Sequence, residues 1–262
     1  MQPFTWIAWM GFPFLMTSLG SALVFFFRKQ ASVRAQRMFL GFAAGVMIAA
    51  SIWSLLNPAI EQAEAAGGVG WIPAAGGFVL GVAFLIALDV ILPHLHRNAK
   101  QPEGLHTSWR RTTLLLLSVT LHNIPEGMAV GLAFAVAAQN GGEAGALSAA
   151  AALAIGMGIQ NFPEGAAISL PLRQEGMSRW GAFLRGCLSG IVEPIFGILM
   201  VLAAPAIGHL MPWFLSFAAG AMLYVVVEEL IPEARLGDHS NAASVSVLAG
   251  FLLMMILDVA LG

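Results

Sequence analysis

Apolar stretches of roughly 20 residues, the length an α-helix needs to cross bilayer hydrocarbon, recur in this chain at about 5–27, 39–60, 69–92, 114–138, 145–171, 182–204, 213–232 and 243–262. A backbone in lipid must satisfy its own hydrogen bonds, so windows of this kind read as helices. The expectation is an all-α polytopic membrane protein with eight transmembrane helices. Composition agrees, because 58% of the 262 residues are hydrophobic and 10% charged, where globular domains carry roughly a quarter charged. The 12 Lys and Arg are scattered and offset by 14 Asp and Glu, which argues against nucleic acid as a partner. A single Cys187 excludes an intramolecular disulfide and a thiolate metal site, leaving nitrogen and oxygen as the ligands for any metal.

No basic residue precedes the first span, and its apolar run is too long for a signal-peptide core, so it reads as a retained helix. The cations gather on one side: Arg28, Lys29, Arg34 and Arg37 after span one, Arg97, Lys100, Arg110 and Arg111 after span three, Arg173, Arg179 and Arg185 around the loop after span five, and Arg235 after span seven. The opposite loops carry Glu61, Glu64 and Glu143 as their charged residues. The positive-inside rule then puts both termini on the non-cytoplasmic side of a multi-pass protein. A compact chain without a targeting segment suits a cell inner membrane. Residues 1–262 read as one transmembrane domain in the lipid bilayer, whose longest connection, near 93–113, carries His94, His96 and His106.

Asp89, Glu126, Glu164, Glu193, Glu228, Glu229 and Asp258 all fall inside these spans. An acid at a helix centre costs about 2.5–3.5 kcal/mol on insertion scales, and no Lys or Arg sits near the middle of any span to offset it. The acids therefore stay protonated or pair with a cation from solution. Two related octets bear on the choice: His122-Asn123-Ile124-Pro125-Glu126-Gly127-Met128-Ala129 in span four, and Gln160-Asn161-Phe162-Pro163-Glu164-Gly165-Ala166-Ala167 in span five. In each, the first residue and the Glu are four apart, so one helix face presents an imidazole or amide beside a carboxylate. Each Pro removes an N–H and is expected to free the carbonyl of Leu121 or Ile159, a break tolerated where helices line a polar cavity. Gly127 and Gly165 allow close helix approach. Antiparallel octets could meet across a pseudo-two-fold axis, with Glu193 of span six as a third carboxylate. The imidazole of such a donor set suits Zn, Cu, Fe and Ni, its carboxylate and amide oxygens widen the range to Mn and Cd-like ions, and the absence of thiolate argues against Cu(I).

Two rival readings use the same residues. One is a carrier for protons or another cation with the carboxylates as a relay. The other is an intramembrane metalloenzyme, which should show two His four apart around a general-base Glu; only His122 lies inside the bundle.

The segments HNIPEGMAVG (122–131), IQNFPEGAAISLP (159–171) and VEP (192–194) resemble the ZIP family of divalent metal transporters, in its GufA-like branch, and the likeness covers essentially the whole chain. The resemblance implies a non-enzymatic carrier of zinc-type ions (Zn²⁺, with Cd²⁺, Fe²⁺ or Mn²⁺) into the cytoplasm. It implies a two-metal centre with no prosthetic group, an inverted 3+2+3 helix bundle and a homodimer. Carried over, His122, Glu126, Gln160 and Glu164 would form one site and Asn123, Glu126, Asn161, Glu164 and Glu193 the other. Asp89, His94, His96, Glu228, Glu229 and Glu233 would lie at the cytoplasmic exit and Asp258 near the outer entrance. Asn161 stands where many relatives carry Asp, and Glu228 where some carry His.

Overall fold

The computed structural model describes residues 3–27, 32–92, 111–235 and 241–261, and every regular element among them is helical. In order these are α1 (Pro3–Ala22), α2 (Val33–Ala50), α3 (Asn57–Ala65), α4 (Trp71–Ile91), α5 (Arg111–Gln139), α6 (Ala144–Gln174), α7 (Arg179–Gly190), α8 (Val192–Ile207), α9 (Met211–Val225), α10 (Ile231–Arg235) and α11 (Ala242–Leu261). Two stretches of wider π geometry, Ser51–Leu56 and Val226–Leu230, join α2 to α3 and α9 to α10. The described residues hold seven helical stretches long and apolar enough to cross a membrane, so the chain is a multi-pass membrane protein. One of them, Arg179–Ala234, is 56 residues long and contains both the sixth and the seventh sequence windows.

Local chemistry sets the helix ends. Ser32 and Ser178 cap α2 and α7, their hydroxyls accepting from the N–H of Ala35 and Gly181. Gly141, Gly142 and Gly176 adopt positive φ in the turns after α5 and α6, backbone that a side chain would strain. The prolines divide. Helix continues through Pro125 in α5 and Pro163 in α6, so the expected breaks at the octets do not occur, whereas at Pro194 a break separates α7 from α8 and leaves Glu193 in the first turn of α8. The N–H that Pro194 lacks would have bonded Gly190, the residue that ends α7.

Four intimate pairs organise the molecule: α1 on α6, α5 on α8, α2 on α11 and α4 on α9. In each, residue numbers rise together along both partners. Gly158 meets Phe12 and Gly165 meets Thr17; Gly127 meets Glu193 and Gly131 meets Gly197; Gly41 meets Ala243 and Gly45 meets Phe251; Gly77 meets Ser216 and Gly81 meets Ala221. Every pair is therefore parallel, and its glycines permit backbone contact, the packing by which membrane helices gain dispersion energy without a hydrophobic driving force between them. The first two pairs pack together through α5 on α6, α1 on α7 and α6 on α7, and α9 and α2 lie against α5 and α6.

Candidate metal centre

The two octets face each other. From α6, Gln160 Nε2 donates to Glu126 Oε1 of α5 at 2.9 Å, and also lies 3.4 Å from Asn161 Oδ1. Asn161 Nδ2 donates to Glu193 Oε2 of α8 at 2.7 Å. Glu193 Oε1 lies 3.5 Å from Thr17 Oγ1 of α1. Asn123 donates to the Ser189 carbonyl at 3.2 Å, at the end of α7. Asn123, Glu126, Gln160, Asn161 and Glu193 are all at most 4% exposed, so one connected polar group sits inside an apolar bundle, where unpartnered polar atoms are costly.

Three oxygens there have no partner: Glu126 Oε2, Gln160 Oε1 and Glu164 Oε1. Buried polar atoms are otherwise satisfied in the great majority of cases, so three orphans within one cluster call for a reason. A cation supplies one, since it can accept lone pairs from all three. Among the described residues no three His, Cys, Asp or Glu side chains stand at metal-ligand spacing. The group mixes carboxylates with amides, and His122 Nε2 is turned to Glu229 Oε1 of the second π stretch, 2.9 Å away.

Glu126, Gln160 and Glu164 line a cavity of about 210 Å³ whose lining also takes in His122, Ser118 and Glu229 and reaches Gln36, Glu175 and Glu233. Those last three sit where α2 begins, α6 ends and α10 runs, on the side that carries Arg34, Arg37, Arg173 and Arg179. Away from that mouth, Leu132, Phe134, Leu153 and Met157 are at most 1% exposed and close the bundle.

Of the residues expected at exit or entrance, Glu229 and Glu233 line this cavity. Glu228 is exposed, and Asp89 accepts from Tyr224 OH at 2.7 Å. Asp258 is buried at the opposite end and accepts from Ser54 Oγ at 2.6 Å. His94 and His96 lie outside the described residues. Sequence reasoning missed Thr17, Ser54 and Tyr224, each a hydroxyl facing a carboxylate from a distant helix. A hydroxyl within a span is weak as a signal, because it can equally bond the carbonyl four residues back, as Ser51 does to Met47.

Unpartnered carboxylate and amide oxygens on residues that line a cavity inside a multi-pass helical bundle define a membrane protein with a candidate cation site. Comparison with known proteins narrows that class. Residues 99–258 match the family model described as ZIP Zinc transporter. The chain is 38% identical to the zinc transporter ZIP11 of Homo sapiens, with 94% of each chain covered. It is 36% identical to the zinc transporter GufA of Myxococcus xanthus, again over 94% of each, and 38% identical to the zinc transporter ZIPB of Bordetella bronchiseptica, over 95% of this chain and 79% of that one. The chain belongs to the ZIP zinc transporter family, a family of transporters and not of enzymes.

Proposed function

We propose that this protein carries zinc-type divalent ions into the cytoplasm through a centre at mid-membrane, where Glu126, Gln160 and Glu164 bind the ion, His122 joins them on loading, and Asn123, Asn161 and Glu193 border a second, weaker position. The observation that carries this reading is the trio of unpartnered buried oxygens on Glu126, Gln160 and Glu164. Imidazole, carboxylate and amide donors suit Zn²⁺, extend to Fe²⁺, Mn²⁺ and Cd²⁺, and release an ion more readily than a closed thiolate site.

Inward direction is supported by the cavity, which opens on the side rich in Lys and Arg, the cytoplasmic side by the positive-inside rule, with the far side closed by Leu132, Phe134, Leu153 and Met157. Glu229 and Glu233 on its wall, with Glu228 beside them in sequence and with Asp89, His94 and His96 toward and beyond the end of α4, would receive the departing ion. Asp258 at the other end would meet the arriving one.

Eight crossings and an inverted 3+2+3 plan are favoured by the helix pairs. A straight helix of 56 residues would be about 84 Å long, nearly three bilayer cores. In addition, α8 runs parallel to α5 and α9 parallel to α4, so if the short turns each reverse the chain, α8 and α9 run in opposite directions, with the turn at Gly208–Leu210. Exchanging spans one to three with six to eight, and four with five, converts α1 on α6 into α8 on α5, and α2 on α11 into α9 on α4. It also exchanges the two π stretches. Both termini would then lie on the non-cytoplasmic side of a cell inner membrane, in a homodimer that rests on the family resemblance alone.

The test is uptake into proteoliposomes across a panel of Zn²⁺, Cd²⁺, Fe²⁺ and Mn²⁺. Wild type should accumulate at least Zn²⁺, and Glu126→Ala and Glu164→Ala should abolish uptake while remaining folded. Metal-independent proton flux in wild type that is lost in Glu126→Ala, without metal uptake, would replace this reading with the proton relay.

A further inference from the structure

Within the centre the orphaned oxygens belong to Glu126, Gln160 and Glu164, a fourth lying outside it on Ser169; none belongs to Asn123, Asn161 or Glu193. The demand for a cation is thus confined to one half of the centre. In the other half Glu193, 2% exposed, meets a donor at each oxygen: Asn161 Nδ2 at 2.7 Å and Thr17 Oγ1 at 3.5 Å. The Asn161 side chain is engaged at both ends, since its Oδ1 faces Gln160 Nε2 at 3.4 Å. Turning that amide over would set its oxygen against the Glu193 carboxylate and its NH₂ against the Gln160 NH₂, so the network fixes its orientation.

We infer that Asn161 and Thr17 form a neutral clamp that holds Glu193 in place of a second cation, so that the centre loads one divalent ion at a time. This inference rests on the metal-carrier reading above. Asn161 presents N–H, the positive end of its dipole, to the space between itself and Glu193, where an Asp would present a carboxylate. An ion entering there must displace a charge-assisted bond to Glu193 and gains no charge from position 161. Thr17 contributes from α1, where its single proton is shared between Glu193 Oε1 and the Pro13 carbonyl, 3.2 Å away. Gly190 leaves the space for it, since a Cβ there would lie 3.1 Å from Thr17 Cβ and 3.0 Å from Glu193 Oε1. Thr17 is a positioning residue, acting on the ion through Glu193.

The experiment is equilibrium dialysis of the full-length protein in detergent against increasing Zn²⁺, with bound metal counted by mass spectrometry, for wild type, Asn161→Asp, Thr17→Val, Thr17→Ser and Glu126→Ala. Wild type should hold one ion per chain where the first position saturates, with any second ion binding about ten- to a hundredfold more weakly, the worth of one charge-assisted hydrogen bond. Asn161→Asp should approach two. Thr17→Val should tighten the second ion severalfold and Thr17→Ser should match wild type, a rescue that loss of packing alone would not give. Two ions of comparable affinity in wild type would overturn the clamp and leave the carrier reading intact, as would a second-ion affinity unmoved in both Asn161→Asp and Thr17→Val. If Asn161→Asp fails to fold, the wild-type count and the Thr17 pair decide. Wild type binding no more metal than Glu126→Ala would overturn the carrier reading and the clamp together.

Discussion

His122 Nε2 on α5 stands 2.9 Å from Glu229 Oε1 on the π stretch that follows α9, so an expected ligand of the ion is held by a residue on the cavity wall. In the carrier reading proposed above, an ion that takes His122 through this nitrogen would first displace Glu229, and its release would reverse the exchange.

Glu229→Gln should therefore tighten Zn²⁺ binding at equilibrium and slow its release toward the mouth of the cavity. A hydrogen bond to a charged group contributes about 1.5–3 kcal/mol, which bounds the gain in affinity at roughly one to two orders of magnitude. Calorimetry on the variant, paired with efflux from preloaded proteoliposomes, checks both halves. Weaker binding in the variant would show that Glu229 is itself a ligand of the same ion.

Acid should weaken metal binding. Ligation requires neutral imidazole and ionised carboxylates, so protons compete with the ion, and affinity should fall between about pH 7.5 and 5.5, a window around the ordinary imidazole pKa of about 6.5. Titration calorimetry in two buffers of different ionisation enthalpy would also count the protons released. A flat affinity with no proton release would remove His122 and the glutamates from the ligand set.

Gly127→Ala should damage the centre from behind. A Cβ there would lie 2.6 Å from Glu193 Cα and 2.9 Å from its carbonyl carbon, so α5 and α8 must part. Overpacking of this kind costs about 1–3 kcal/mol. The variant should melt earlier in detergent and lose part of its stabilisation by Zn²⁺. Gly11→Ala, where a Cβ meets nothing within 4 Å, is the matched control and should behave as wild type.

Asp258→Asn should raise the apparent KM for uptake by about two- to tenfold, the range of one partly screened charge interaction, and leave equilibrium affinity at the centre unchanged. The Asp258–Ser54 bond ties α11 to the π stretch after α2, and neither residue lines the cavity. Initial rates at low external Zn²⁺, set against binding by dialysis, separate the two effects. Equal loss in both would mean that the substitution acts through the fold.

Spans, paired octets and intramembrane acids were legible in the sequence because each is local: apolar length against bilayer thickness, residues four apart on one helix face, the cost of a carboxylate in hydrocarbon. Glu126 and Gln160 were expected to meet and they do, since a repeated octet in neighbouring helices leaves few other places for a buried Glu and amide. The behaviour of the prolines was not legible. One residue type at three similar places leaves helix intact at Pro125 and Pro163 and breaks it before Pro194, because neighbouring helices decide whether a lost backbone bond is tolerated.

What the sequence by itself determined is the all-helical, multi-pass character of the chain and the donor chemistry at mid-span, since lipid permits helices whose backbone bonds close within the segment and the ligand atoms are carried by the side chains themselves. Only the tertiary structure decided which way those atoms turn: Asn161 toward Glu193, His122 toward Glu229, and Thr17 toward Glu193, 176 residues away in sequence. Those choices depend on the parallel pairing of α1 with α6 and α5 with α8, where glycines let backbones touch. Contact of that kind depends on the shape of both partners, and neither helix carries it alone.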